Sequence, residues 1–350
     1  MEDVISNSSE NFNLNKVVEV VKTPVVEASG NIKLVMALTV NPKNEDEGLI
    51  RVITSRKGSA AQHGSVDRSL LYKVTRTEND NYEIDKELEI ENQKETITEI
   101  EEKTGWEFKD LEDPDIEIDE NGLAHIYFTM VFRDESDDET YIYLGHAEGD
   151  DLDSLKMTDP VLAPVPGKHW GAKEVSIAPK NSQGKYLNLV ESSDETEKTK
   201  YSVVRLAEAA SFNGQWEYKG IVLHPKDLPA WAAGHASPGQ MLSRKFIDVG
   251  SDKCVVILNG RAANKVVDGK TKYRDFTVGV MIYNYEIGKV EWVSPEPLIK
   301  DPAAVTVTFA SEFIEQDYKG ILYAHVDDSF VRKYIVDVIE LEKWIADSTV

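Results

Sequence analysis

The sequence predicts an all-β fold, a five-bladed β-propeller. Three observations carry that expectation. Short segments rich in Val, Ile and aromatic residues recur along the whole chain, bounded by Gly, Asn and Asp. Four groups of such segments start about 60 residues apart, within reach of the longer propeller repeats. Helical patterns are few and short. Four strands per unit and about five units close into a ring whose inner strands converge on a central channel. The pattern alone leaves one alternative open, a pair of β-sandwiches.

Taken in order, residues 1–29 are expected to form an extension that closes the propeller, and 30–350 a single five-bladed propeller domain without a Pro/Gly/Ser-rich linker. The first unit opens at "GNIKLVMALTV" and continues through "LIRVITS" and "SLLYKVTR". "KETITEIEEKTG" then offers polar helix formers, for a short helix or a loop turn. The second unit opens at "EDPDIEI" and runs through "HIYFTMVF" and "TYIYLGHA". The third opens at "KEVSIAPK", followed by "YLNLVES" and "YSVVRLA". "AWAAGHA" is interrupted by Gly234 and is not read as a helix. The fourth opens at "ASPGQML", with "CVVILNG" and "TVGVMIYNY" behind it. The fifth opens at "AVTVTFASEF", continues through "ILYAHV" and "KYIVDVIEL", and "LEKWIADS" adds a helical turn or two.

Composition narrows the function classes. The 350 residues are 41% apolar and 9% aromatic, which supplies a core. The net charge is −24, from 63 acidic and 39 basic residues, and such a field repels nucleic acid and anionic membranes. Runs such as Glu99 to Lys103 and Asp134 to Glu139 read as solvated faces. The one cysteine, Cys254, lies in the apolar run "CVVIL" with no nearby His, which suits a buried structural role. The start "MEDVISNSSENF" lacks a basic segment followed by an apolar one, no stretch approaches a membrane span, and a cytoplasmic location is expected. The seven histidines show no short ligand spacing and there is no cysteine cluster, so neither a metal site nor a cofactor is expected. Gly-rich phosphate loops and Gly-x-Ser-x-Gly elbows are absent from the sequence.

The most suggestive stretch is "LEDPDI", Leu111 to Ile116, where acidic residues flank a proline at the start of a strand. Pro114 fixes its own φ and donates no hydrogen bond, so it suits a strand start. That places Asp113 at the channel mouth; the plainer alternative is a turn-initiating Asp bonded to backbone. "LEDPDI" resembles the "EDPR" signature of glycoside hydrolase family 130, the β-mannoside phosphorylases and β-mannosidases. "GHASPGQML", "VVILNGR", "KVEWVSPEPLIKDP", "VTVTFASEF" and "ILYAHVDD" follow in the order that family shows, and the likeness runs from Gly30 to Val338. A more distant resemblance links the chain to the family 43 arabinanases and xylosidases.

The resemblance implies a glycoside hydrolase acting on β-mannosides or related oligosaccharides. Asp113 would be the general acid. Glu174, in "HWGAKEVSIAPK", is the candidate base, with a strand-edge Glu paired to Lys173 or Lys180 as the alternative. Arg56, Glu112, Trp170, His235, Arg261 and Asp327 would hold the substrate, with Asp328 as the neighbour of Asp327 that fits the spacing less well. Two departures stand out: Asp115 occupies the place of the signature's Arg, and Leu258-Asn259-Gly260 replaces a Tyr-His-Gly stretch that helps hold phosphate. Fewer phosphate donors favour hydrolysis. A phosphate-dependent mannoside phosphorylase and a non-catalytic sugar-binding propeller remain as alternatives, and monomer and small oligomer fit equally.

Overall fold

Five four-stranded antiparallel sheets carry most of the chain. The computed structural model describes residues 14–57, 66–136, 138–194, 200–267, 270–272 and 274–349. Blade one comprises Leu34–Val40, Glu47–Lys57, Val66–Arg76 and Tyr82–Glu87, and blade two Glu107–Ile118, Ala124–Asp134, Glu139–Gly149 and Lys156–Met157. Blade three comprises Lys173–Ser176, Tyr186–Asp194, Tyr201–Ala209 and Glu217–Leu223; blade four His235–Met241, Lys253–Arg261, Phe276–Asn284 and Lys289–Val293. In blade five, Thr308–Gln316, Lys319–Val326 and Phe330–Asp337 are followed outward by Val18–Glu27 from the other end of the chain. That last pairing is antiparallel, from Val18 opposite Val336 to Glu27 opposite Phe330. The first strand of each blade touches the first strand of its two neighbours, so the inner strands form a closed five-membered ring. The fold is therefore the five-bladed propeller that the strand spacing predicts.

Why the strands read as near-continuous apolar runs is now plain. Side chains alternate between the two faces of a sheet, and in a propeller both faces are covered by neighbouring blades. Ala124–Asp134 is buried at nearly every position. Each gap between blades holds its own apolar cluster. Leu49 and Leu71 of blade one meet Phe128 and Phe132 of blade two; Tyr127 and Leu144 meet Val190 and Ala207 of blade three. Leu189 and Val204 meet Val256 and Met281 of blade four, and Val255 and Val280 meet Leu322 and Val336 of blade five. Val35 and Val52 meet Tyr323 and Val331 to complete the ring. Cys254 is buried in one of these clusters, as its apolar surroundings predict.

Two helices decorate the ring. Gln93–Thr104 is the segment that the sequence left between helix and turn; Gly105 ends it at φ 75°, its N–H bonded to the Glu101 carbonyl at 2.8 Å. Val338–Ser348 is longer than "LEKWIADS" suggests, because Asp337 caps it earlier by accepting from the N–H groups of Ile339 and Glu340. It lays Leu341, Trp344 and Ile345 over the blade four–five cluster. Among the described residues no helix is long and apolar enough to cross a membrane.

Candidate active site

Every inner strand breaks its pairing at one level of the channel. Register shifts fall between Met36 and Thr39, Glu112 and Asp115, Lys173 and Val175, Pro238 and Met241, and Ala310 and Glu312. Such bulges re-aim side chains and concentrate beside functional sites. Ala37, Asp113 and Glu174 lie within three of them at φ 51°, 48° and 46°. A non-glycine residue held in that left-handed region costs about 1–3 kcal/mol, so the surrounding structure must fix it. As a result Ala37, Asp113, Glu174, Gly239 and Ser311, one from each inner strand, line a single axial cleft. The cleft has room for about 20 Å³, enough for a water molecule.

Asp113 is held as an anion. Its Oδ1 accepts from Arg51 Nη1 at 2.8 Å, and its Oδ2 lies 4.0 Å from Lys173 Nζ. Burial pushes the carboxyl up, but the charges of Arg51 and Lys173 outweigh it and keep Asp113 below the usual carboxylate range. The buried Oδ2 accepts no hydrogen bond. Arg51 is fixed in turn by Glu112 at 2.5 Å and by Ser69 Oγ at 2.8 Å.

Glu174 faces the opposite field. Burial raises its pKa, the negative charges of Asp113 and Glu191 add to that, and Lys173 and Arg51 only partly offset them, so it stands well above the usual range. Two carboxyl groups at one level of the channel therefore prefer opposite protonation states. Glu191, on the second strand of blade three, is buried close enough to Glu174 and Lys173 to act on both. It lies 3.2 Å from His235 Nε2 and is pushed down to about 2, burial being outweighed by His235 and Lys173.

Asp115 also lines the cleft, and it interacts electrostatically with two further buried acids, Glu117 and Glu312. Asp115 is pushed up to about 7 by burial and then by Glu312, while Glu117 is raised well above the usual range by burial, Asp115 and Glu312. Glu312 is raised by burial despite accepting from the Val40 and Phe313 N–H groups and Thr39 Oγ1. The sign follows from proton counting: between about pH 4, where an unfolded Asp ionises, and pH 7, the folded chain holds protons that the unfolded chain has lost. Stability is thus expected to fall as pH rises through this window, by about 1.4 kcal/mol for each unit separating the two pKa values. Asp113 and Glu191 act with the opposite sign but below that window. Urea midpoints should drop from pH 5 to pH 8, and Asp115→Asn should flatten the drop; an equal drop in the variant would clear Asp115 of the effect.

The structure treats the other sequence-predicted residues unevenly. Glu112 is drawn in by Arg51 and His235 by Glu191, both beside the cleft. Arg261 pairs with His235 across two strands and lies over the Phe276 ring at 5.5 Å, with contacts to Gly234 and Asn264. Trp170 is half-buried, its backbone N–H donating to Ser193 Oγ at 3.0 Å. The Asp327 carboxylate accepts from the N–H groups of Val305, Thr306 and Val307 at 2.7–2.9 Å, clamping that loop. Its neighbour Asp328 is the one that meets His325, at 3.4 Å from Nε2. The side chain of Arg56 lies outside the described residues.

Sequence reading missed Arg51, Lys173, Glu191, Glu312 and His325. One signal was available for Arg51 and Glu191: a charge inside an otherwise apolar strand, "LIRVITS" and "YLNLVES". A buried charge needs a partner, and that need points toward the cleft.

No protein-family model matches the chain, and no curated protein matches it. Solved structures do. A glycosyl hydrolase from Bacteroides ovatus superposes with a TM-score of 0.66 at 17% identity, covering 91% of this chain and 93% of that one. The β-1,2-mannobiose phosphorylase of Listeria innocua, in complex with β-1,2-mannobiose, gives 0.64 at 11% identity over 94% and 99%. A third gives 0.65 at 14% identity over 91% and 93%; it comes from glycoside hydrolase family 130, whose mannoside phosphorylases include hydrolases that target β-1,2-mannosidic linkages in Candida mannan. The likeness is one of fold.

Proposed function

We propose that the protein hydrolyses β-mannosides or related oligosaccharides in the axial cleft, with Glu174 as proton donor and Asp113 as the ionised partner that activates water. The observation that carries this reading is the opposite protonation preference of two carboxyl groups turned into one cleft by paired bulges. Environments that drive two acids apart assign acid and base. In the step, water attacks the anomeric carbon and gives its proton to Asp113 Oδ2; the glycosidic C–O bond breaks, and Glu174 protonates the departing oxygen. This exchanges the roles expected from the sequence. Shared fold with mannoside-active enzymes supports the substrate class.

Asn259 favours hydrolysis over phosphorolysis. Its side chain ties blade four to blade five through Ala310, donating to the carbonyl at 2.9 Å and accepting from the N–H at 2.8 Å, and so is not free to hold phosphate. The test is product analysis of β-linked manno-oligosaccharides with and without inorganic phosphate. Free mannose independent of phosphate is expected. Mannose 1-phosphate formed only with phosphate would make the protein a phosphorylase, and binding without cleavage would make it a sugar-binding propeller.

A further inference from the structure

Blade two carries a second constellation, one strand outward from the cleft residues, where His125 pairs with Glu117. His125 lies opposite Glu148 across the pair of strands Ala124–Asp134 and Glu139–Gly149, and His146 sits two residues before Glu148 on the same face. Directly opposed and diagonal positions on one face of an antiparallel pair bring side chains together. His125 Nδ1 and His146 Nε2 are 3.0 Å apart, His125 Nδ1 is 3.8 Å from Glu148 Oε2, and the three ligand-type atoms all fall within 4.8 Å of one another. We propose that His125, His146 and Glu148 form a binding site for a zinc-class divalent cation, with a position left open to solvent or a small ligand.

Four features of the surroundings support this. First, both imidazoles are buried, and a neutral imidazole keeps one ring lone pair for a metal. Second, their outer nitrogens meet groups suited to orient them: His146 Nδ1 is 2.8 Å from Thr158 Oγ1, and His125 Nε2 is 3.8 Å from Asp119 Oδ2. Metal-bound histidines commonly present their second nitrogen to such a hydroxyl or carboxylate. Third, proton placement fits a cation. If His125 Nδ1 donated to His146, Nε2 would be a buried lone pair facing the Asp119 carboxylate, and Nε2 has no hydrogen-bond partner. With the proton on Nε2, the Nδ1 lone pair points at His146 Nε2. When Thr158 donates to the Asp159 carbonyl at 3.0 Å, His146 carries its proton on Nδ1 and offers a lone pair as well. Two lone pairs 3.0 Å apart attract a cation between them, and at bond lengths of about 2.0–2.1 Å they subtend about 95° at the metal.

The fourth feature is access. Glu148 is half-buried and takes a hydrogen bond from Asn213 Nδ2 at 3.0 Å, which fixes the third ligand. A cavity of about 440 Å³ between blades two and three is lined by His125, Glu148, Lys180, Tyr186, Phe212 and Asn213. Two neutral imidazoles and one carboxylate suit zinc, and three protein ligands with an open fourth position mark sites that bind a further molecule. The sequence concealed the set because a sheet register, not a short spacing, unites it.

The test is Zn²⁺ titration by calorimetry of chelator-stripped full-length protein, with Co²⁺ absorption as a second probe of nitrogen ligation. One Zn²⁺ per chain at micromolar or tighter affinity is expected, together with Co²⁺ bands of low coordination number. Glu148→Gln, which alters a half-exposed carboxylate and should fold normally, and His125→Gln should each weaken Zn²⁺ by at least about tenfold, the loss already typical of removing a supporting group. No stoichiometric uptake by the parent protein, or unaltered uptake by folded Glu148→Gln, overturns the proposal.

Discussion

Glu174→Gln is expected to lose about 10²- to 10⁴-fold in kcat/KM on mannosides with sugar leaving groups, the usual contribution of a general acid. On an aryl mannoside whose phenolate departs without a proton, the same variant should stay within about tenfold of the parent, because the step that Glu174 assists is no longer needed. Burial and the neighbouring Asp113 and Glu191 charges keep Glu174 protonated, so the alkaline limb of the parent's pH profile should disappear in the variant. Asp113→Asn should behave differently, failing with both kinds of leaving group, since the amide cannot accept a proton from water. Equal impairment of Glu174→Gln on both substrate types would remove it from the role of acid.

Arg51→Met should be the most destabilising change at the cleft, by about 3–5 kcal/mol, the cost of breaking a buried ion pair from one side. Arg51 bridges Asp113 and Glu112, and the Asp113 side chain is only 5% exposed, so neither water nor another guanidinium replaces what is lost. With the cation gone, burial raises the Asp113 pKa, and the folded chain then binds a proton more tightly than the unfolded one. The deficit should therefore grow as pH rises from 5 to 8, read as a widening gap in thermal midpoint from the parent. Adding Asp113→Asn should recover part of the loss, as it removes the stranded charge. A deficit independent of pH, with no recovery in the double variant, would mean that Arg51 acts through packing.

The sequence disclosed the blades more readily than the cleft. Strands covered on both faces leave a dense apolar signature, as in "HIYFTMVF" and "CVVILNG", and turns at Gly122, Gly184 and Gly250 punctuate them. Asp113 was legible because Pro114 reads as a strand start, though the proline lies inside Glu107–Ile118, at the bulge between Glu112 and Asp115; Glu174 was legible because it lies at the start of Lys173–Ser176. The division of labour between them was not, since it depends on Arg51 and Lys173 arriving from other strands. Arg51, which holds Asp113 and Glu112, was not legible, because the bulges that decide which side chains face the channel exist only in pairing register. Asp327 and Asp328 are adjacent and both acidic; only the folded loop at Val305 to Val307 reveals which one is occupied by backbone.

The strand Val18–Glu27 finds its partner only at Phe330–Asp337. During synthesis at about 5–20 residues per second, an early-emerging strand must wait on the order of tens of seconds for the segment that receives it. Until then blades one to four can assemble as an open arc, with the flank of blade one uncovered and apolar. A nascent-chain experiment that arrests translation before residue 330 should accordingly capture a species prone to holdase binding, which the strand Phe330–Asp337 releases by shutting the circle.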